Sequence, residues 1–332
     1  MDLYESSSLV KKTIDKFSEI SGENIVALLR DTDISVLSRT DKSQLAITAA
    51  SLAMVAALKE KGIEPEAVAG FSLGEFSALC VSGILSFEDT VKIVKVRGEI
   101  MQKVCDEIAE KALEGEKPGM AAVLGLTPDV VQKTLAPYGD VSKEEAVFPT
   151  NLNSPRQTVV SGTAKGLVLA ENLCKEAGAK RVVVLKVAGP FHSPLMEKAA
   201  TAFASELEKI TFNNPKIKCF SNVTGKAVAS GEEAKANAVE HIVKAVRWTE
   251  EESAIAEFAE GFAEEWQLLE VGPGKTLCGL WRTRFFSSPN PRIPPTKSIR
   301  LSERRSLMPR ISSKIKFDEI VTSSTPIGSL SS

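Results

Sequence analysis

Ala67-Val68-Ala69-Gly70-Phe71-Ser72-Leu73-Gly74-Glu75-Phe76-Ser77-Ala78-Leu79 passes from a short apolar run, through a G-x-S-x-G pentapeptide, into a helix-forming stretch. Strand, tight turn and helix in that order are what a nucleophile elbow requires, because the turn lifts the serine hydroxyl out of the chain. The Leu73 N–H, at the start of the helix, is placed to donate to a developing oxyanion. An ordinary strand-to-helix turn has the same outline, so the pentapeptide needs partners elsewhere. On either side, Leu45–Lys61 is Ala-rich and helical and stops at Gly62. Ser86 caps a helix running to Ala112, with Asp89 as its acidic capping partner. Helices alternating with short strands predict an α/β protein with a mainly parallel sheet.

The middle of the chain has a different rhythm. Strand Met120–Leu126, helix Pro128–Ala136, strands Ala146–Leu152 and Gln157–Ser161, helix Thr163–Ala177 and strand Arg181–Val187 give the order β-α-β-β-α-β. That is the ferredoxin-like pattern. It predicts a subdomain over 119–187 inserted into a larger domain formed by 1–118 and 188–280. Helix 195–209 and strands 216–222 and Gln267–Val271 would return to the larger domain. Residues 281–332 hold ten Lys/Arg, three Asp/Glu and six prolines with many serines and no sustained period. They read as a disordered basic tail or as the product of an altered reading frame.

Composition removes several classes. The 332 residues carry 41 basic and 43 acidic side chains, so no basic footprint for nucleic acid exists. No run approaches the ~20 apolar residues of a membrane span. Five cysteines with wide spacing and no C-x-x-C argue against a disulfide framework or a zinc site and fit a reducing compartment. Asn222-Val223-Thr224 matches a glycosylation acceptor by chance, since no secretory signal opens the chain.

Only two histidines are present, His192 and His241. His192 follows a β-branched strand in Gly189-Pro190-Phe191-His192-Ser193-Pro194, a loop that can present an imidazole as a base or keep it as a structural group. His241 lies in an Ala- and Val-rich helical stretch and reads as structural. Arg97 falls in the middle of the apolar stripe Ile93, Val94, Ile100, Met101, Val104 and Ile108, so its guanidinium must find an anion. A protein carboxylate and the carboxylate of an acidic substrate both suit its planar fork. Gly272-Pro273-Gly274-Lys275 opens a helix after a strand and is a weak candidate for anion binding.

Six segments in order, 70–83 (GFSLGEFSALCVSG), 96–102 (VRGEIMQ), 151–162 (NLNSPRQTVVSG), 189–196 (GPFHSPLM), 246–249 (VRWT) and 270–277 (EVGPGKTL), resemble the malonyl-CoA:acyl carrier protein transacylases of type II fatty acid synthesis. The likeness runs from about residue 3 to 280. It implies an α/β-hydrolase-like large domain with an inserted ferredoxin-like subdomain. By the same resemblance Ser72 is the nucleophile, His192 its base, Arg97 the grip on the malonyl carboxylate and Leu73 an oxyanion donor. Phe191 marks the malonyl rather than methylmalonyl form, and a main-chain carbonyl at His241, where the family has Gln, orients His192. The implied substrates are malonyl-CoA and the phosphopantetheine thiol of acyl carrier protein, with no metal or bound cofactor, and a monomer is expected. Phe71 before the serine is similar to plant and algal plastid members, which suggests a plastid, with a mitochondrion or bacterial cytoplasm as alternatives. Arg156 replaces a common glycine. The family's opening strand and Pro-Gly-Gln-Gly turn precede the first residue here, which predicts a weakened oxyanion hole and an exposed sheet edge. The competing readings are an α/β-hydrolase-type esterase or thioesterase and a catalytically weak remnant that binds carrier protein.

Overall fold

A computed structural model describes residues 2–112, 116–262 and 266–285, together with strands at 297–298 and 318–323. Two sheets organise it. The first is parallel, in the order β6 (Lys218–Cys219), β1 (Pro65–Gly70), β9 (Asp318–Ser323), β7 (Trp266–Glu270) and β8 (Lys297–Ser298). The second is antiparallel, in the order β3 (Val147–Ser154), β4 (Gln157–Gly162), β2 (Gly119–Leu124) and β5 (Arg181–Val184).

Strand β1 is built of small residues because both its faces are covered, as parallel strands require. Val68 packs with Leu45, Leu52 and Leu79 in one apolar cluster, while Ala67, Ala69 and Phe71 join Trp248, Trp266 and Leu268 in another. The Thr40–Glu60 and Phe87–Lys111 helices lie on the first side. The second of these opens with a reciprocal cap: Ser86 Oγ accepts from the Asp89 N–H at 3.0 Å and donates to its carboxylate at 2.7 Å.

The antiparallel sheet has the predicted β-α-β-β-α-β order, with helices Pro128–Leu135 and Ala164–Glu176. Those helices cover one face through Val131, Leu135, Leu167 and Ala170. The other face, with Met120, Ala122 and Val159, packs against Phe191. Paired bonds join the sheet to the larger domain: the Val246 N–H donates to Thr150 O at 2.8 Å, and the Leu152 N–H donates to Val246 O at 2.9 Å.

Three expectations are corrected. Strand 216–222 shortens to Lys218–Cys219, because Ser221 and Asn222 turn away to bond with Lys226 and Glu75. The segment after 280 is not uniformly irregular: a helix continues through Phe285, and β8 and β9 pair within the parallel sheet. The β-branched run Ile320-Val321-Thr322 suits such a strand. An exposed sheet edge was expected, and β1 is paired on both sides, with β6 and with β9 in a register running from Pro65↔Glu319 to Gly70↔Ser323. The rest of the predicted tail lies outside the described residues.

Candidate active site

Of the described non-glycine residues, Ser72 (φ 51°) and His192 (φ 58°) alone have positive φ. Left-handed backbone at bulky or polar residues costs energy and collects where geometry serves a site. Ser72 leaves the end of β1, and the Gly74–Val81 helix begins two residues later. Strand and helix touch so closely that a Cβ on Gly70 would lie 2.1 Å from the Gly74 carbonyl. The Leu73 N–H, at the head of that helix, has no acceptor among the described residues.

His192 reaches the serine across 120 positions of sequence. Ser72 Oγ lies 2.7 Å from His192 Nε2, and His192 Nδ1 lies 2.7 Å from the main-chain oxygen of His241. A carbonyl only accepts, so Nδ1 carries the proton and Nε2 is the free base facing the hydroxyl. Burial, then the positive charge of Arg97, hold His192 at about 4, below its ordinary 6.5. The imidazole is therefore neutral, and able to take a proton, throughout the physiological range. Its loop is pinned by the antiparallel sheet: Ser161 Oγ donates to Phe191 O at 2.6 Å.

Arg97 is 2% exposed. Its Nη1 donates to Gln44 Oε1 at 2.8 Å, and its guanidinium lies 5.2 Å from the centroid of the Phe76 ring. Nε and Nη2 have no partner among the described residues. The protein carboxylate weighed as a partner is absent from this contact; Glu75 acts on Arg97 only through space. Burial lowers Arg97 to about 10, which still leaves it charged at neutral pH. A buried cation with one free edge is a socket for a carboxylate.

These chain-level features coincide with a family match: residues 1–264 fit the acyl transferase domain family. The chain belongs to that family. The acyltransferase is 38% identical over 281 residues to the malonyl CoA-acyl carrier protein transacylase of Bacillus subtilis (strain 168), covering 84% of this chain and 83% of the relative. It is similar to a solved acyl carrier protein S-malonyltransferase from Vibrio cholerae O1 biovar eltor (TM-score 0.79, 34% identity, 90% of each chain). It is also similar to a malonyl-transacylase solved in complex with a type II polyketide synthase acyl-carrier protein (TM-score 0.77, 32% identity, 90% of this chain and 89% of that one).

The other candidates of the acyltransferase fall into place around this centre. Phe191 sits half-buried at the seam, touching both the large core and the antiparallel sheet. His241 follows the Gly231–Glu240 helix rather than lying inside it, and its ring is wholly buried, with centroids 4.9 Å from His192. Burial keeps that ring well below its ordinary value, so the 3.8 Å approach of Glu75 to His241 Nδ1 is not an ion pair. Glu75 itself is raised to about 7 by burial. The Gly272–Lys275 turn is no anion site: the buried Glu270 carboxylate already accepts from the Leu277 and Cys278 N–H groups. Asn222, Gln44, Glu75 and Glu251 were missed as site residues. Glu75 lies inside the 70–83 segment without being marked by it, Gln44 and Glu251 have no local signal, and the sequon at Asn222 belongs to a side chain with no exposure.

Proposed function

We propose that this acyltransferase moves the malonyl group of malonyl-CoA to the phosphopantetheine thiol of acyl carrier protein through a malonyl-Ser72 ester. The free edge of Arg97 beside a neutral Ser–His pair carries the reading, because it supplies a carboxylate socket that a simple esterase does not need. Ser72 Oγ attacks the thioester carbonyl while His192 Nε2 takes its proton, and the Leu73 N–H donates to the oxyanion. The C–S bond breaks and His192 returns the proton to the departing CoA sulfur. The carrier's thiol then gives its proton to His192 and attacks the ester, and Ser72 leaves as the alcohol.

Binding the malonyl carboxylate also changes the base. Pairing offsets the Arg97 charge that depresses His192, so the correct substrate raises the basicity of the group that must accept the proton. The reaction uses protein groups alone, so dialysis against a chelator leaves its rate unchanged. The likeness of Gly70–Glu75 to plastid members supports a plastid location for the enzyme; immunolocalisation in the source cell separates this from mitochondrion or bacterial cytoplasm.

Arg97→Ala tests the assignment. Malonyl transfer to acyl carrier protein should fall by about 10²-fold or more, the scale of a charge-assisted pair, while acetyl transfer changes little. Equal losses for the two acyl groups would remove the socket, and hydrolysis of malonyl-CoA as fast as transfer would make the enzyme a thioesterase.

A further inference from the structure

We propose that Asn222 positions the nucleophile, clamping Ser72 in its left-handed conformation so that the Leu73 N–H alone is left as the elbow's oxyanion donor. The inference deepens the acyl-transfer reading and rests on it. The Asn222 side chain is fully buried and uses each of its hydrogen-bonding groups. Its Oδ1 accepts from the Ser72 N–H at 2.6 Å, and its Nδ2 donates to Gly70 O at 2.6 Å and to Glu251 Oε2 at 2.7 Å. The Asn222 N–H donates in turn to Glu75 Oε2 at 3.1 Å.

The amide therefore bridges the two sides of the turn, from the carbonyl before Phe71 to the N–H after it. Only one orientation works: reversed, Nδ2 would face the Ser72 N–H, and Oδ1 would face the Gly70 carbonyl. The clamp occupies the Ser72 N–H, which then cannot serve a substrate oxygen. It leaves the Leu73 N–H free, and the two amides acquire different duties. Glu251 and Glu75 fix the clamp from behind, on the Trp248–Glu260 helix and on the helix that follows the elbow. Asn222 touches no reacting atom, so it is a positioning residue acting through Ser72.

The test is the rate of Ser72 malonylation by malonyl-CoA, read by rapid quench and intact mass on the full chain. Asn222→Ala should lower the maximal rate by about 10²-fold, as expected for a displaced reacting atom, with KM for malonyl-CoA within about twofold because the Arg97 socket is untouched. Asn222→Asp keeps the acceptor for Ser72 but turns an oxygen toward Gly70 O and Glu251, and should lose about tenfold. Adding Glu251→Gln supplies a donor at one of those two contacts and leaves Gly70 O facing an oxygen, so it should recover part of that loss. An unchanged maximal rate in Asn222→Ala, or a loss confined to KM, overturns the clamp. If the variants do not fold, amide exchange in the wild-type chain decides: protection of the Ser72 N–H supports the clamp, and rapid exchange refutes it. A wild-type enzyme that forms no malonyl ester would instead refute the acyl-transfer reading itself.

Discussion

Ser72 and His192 share a strained backbone, but the structure holds them in two different ways. Ser72 is fixed from within the large domain, by β1, the helix behind the elbow and the Asn222 amide. His192 is fixed from both domains, by the His241 carbonyl on one side and by Ser161 of the antiparallel sheet, through Phe191, on the other. Ser72 therefore needs one body to be folded, whereas His192 also needs the two bodies docked. Disturbances of the seam should reach the base first.

The largest effect separates the glycines beneath the two loops. At Gly70 a Cβ meets backbone, 2.1 Å from the Gly74 carbonyl, so Gly70→Ala must part strand from helix. It should cost about 3 kcal/mol or more in denaturant melts and abolish the adduct. At Gly189 a Cβ would meet the Cys105 sulfur at 2.4 Å, a single side-chain atom. Gly189→Ala should slow acylation while leaving the fold, and Cys105→Ala on top of it should restore the rate. Equal damage at both glycines would contradict the distinction.

The pH profile sharpens the picture of the base. His192 is depressed, so it loses its function only as pH falls through about 4, and kcat/KM for acylation should be flat from pH 6 down to 5. The limb in kcat should lie at higher pH than that in kcat/KM for malonyl-CoA, because the bound carboxylate offsets Arg97, and the two should coincide for acetyl-CoA. The depressed value also ties stability to pH: the contribution is complete above the unfolded value near 6.5 and is lost as pH falls toward about 4. A wild-type acid limb near 6.5 would contradict a buried base.

Ser161→Ala is the smallest test. It removes one hydrogen bond to the base loop, worth about 1 kcal/mol, and should lower the acylation rate by less than about tenfold with KM unchanged. A rate unchanged within error would place control of His192 entirely in the large domain.

The difference between the two loops also explains what could be read from sequence. Ser72, His192 and Arg97 were legible because their signals are local: a turn motif, a loop exit and a helix phase each lie within one continuous stretch of chain. The order of the inserted sheet was legible for the same reason. Asn222 and Gln44 were not, because each acts across the fold, Asn222 on Ser72 and Gln44 on Arg97, and nothing adjacent in the chain marks them. Their polar side chains become informative only when burial removes water as a partner. The pairing of 318–323 with β1 was hidden too, since proline, serine and basic residues around that run mask a short β-branched strand.

Intact mass after mixing the protein with malonyl-CoA tests the central claim most directly. The account predicts one malonyl adduct of about 86 Da on the wild-type chain, the mass of a malonyl group replacing the serine hydroxyl hydrogen, and none on Ser72→Ala. A folded wild-type chain that takes up no malonyl group, or an adduct that survives Ser72→Ala, would contradict it.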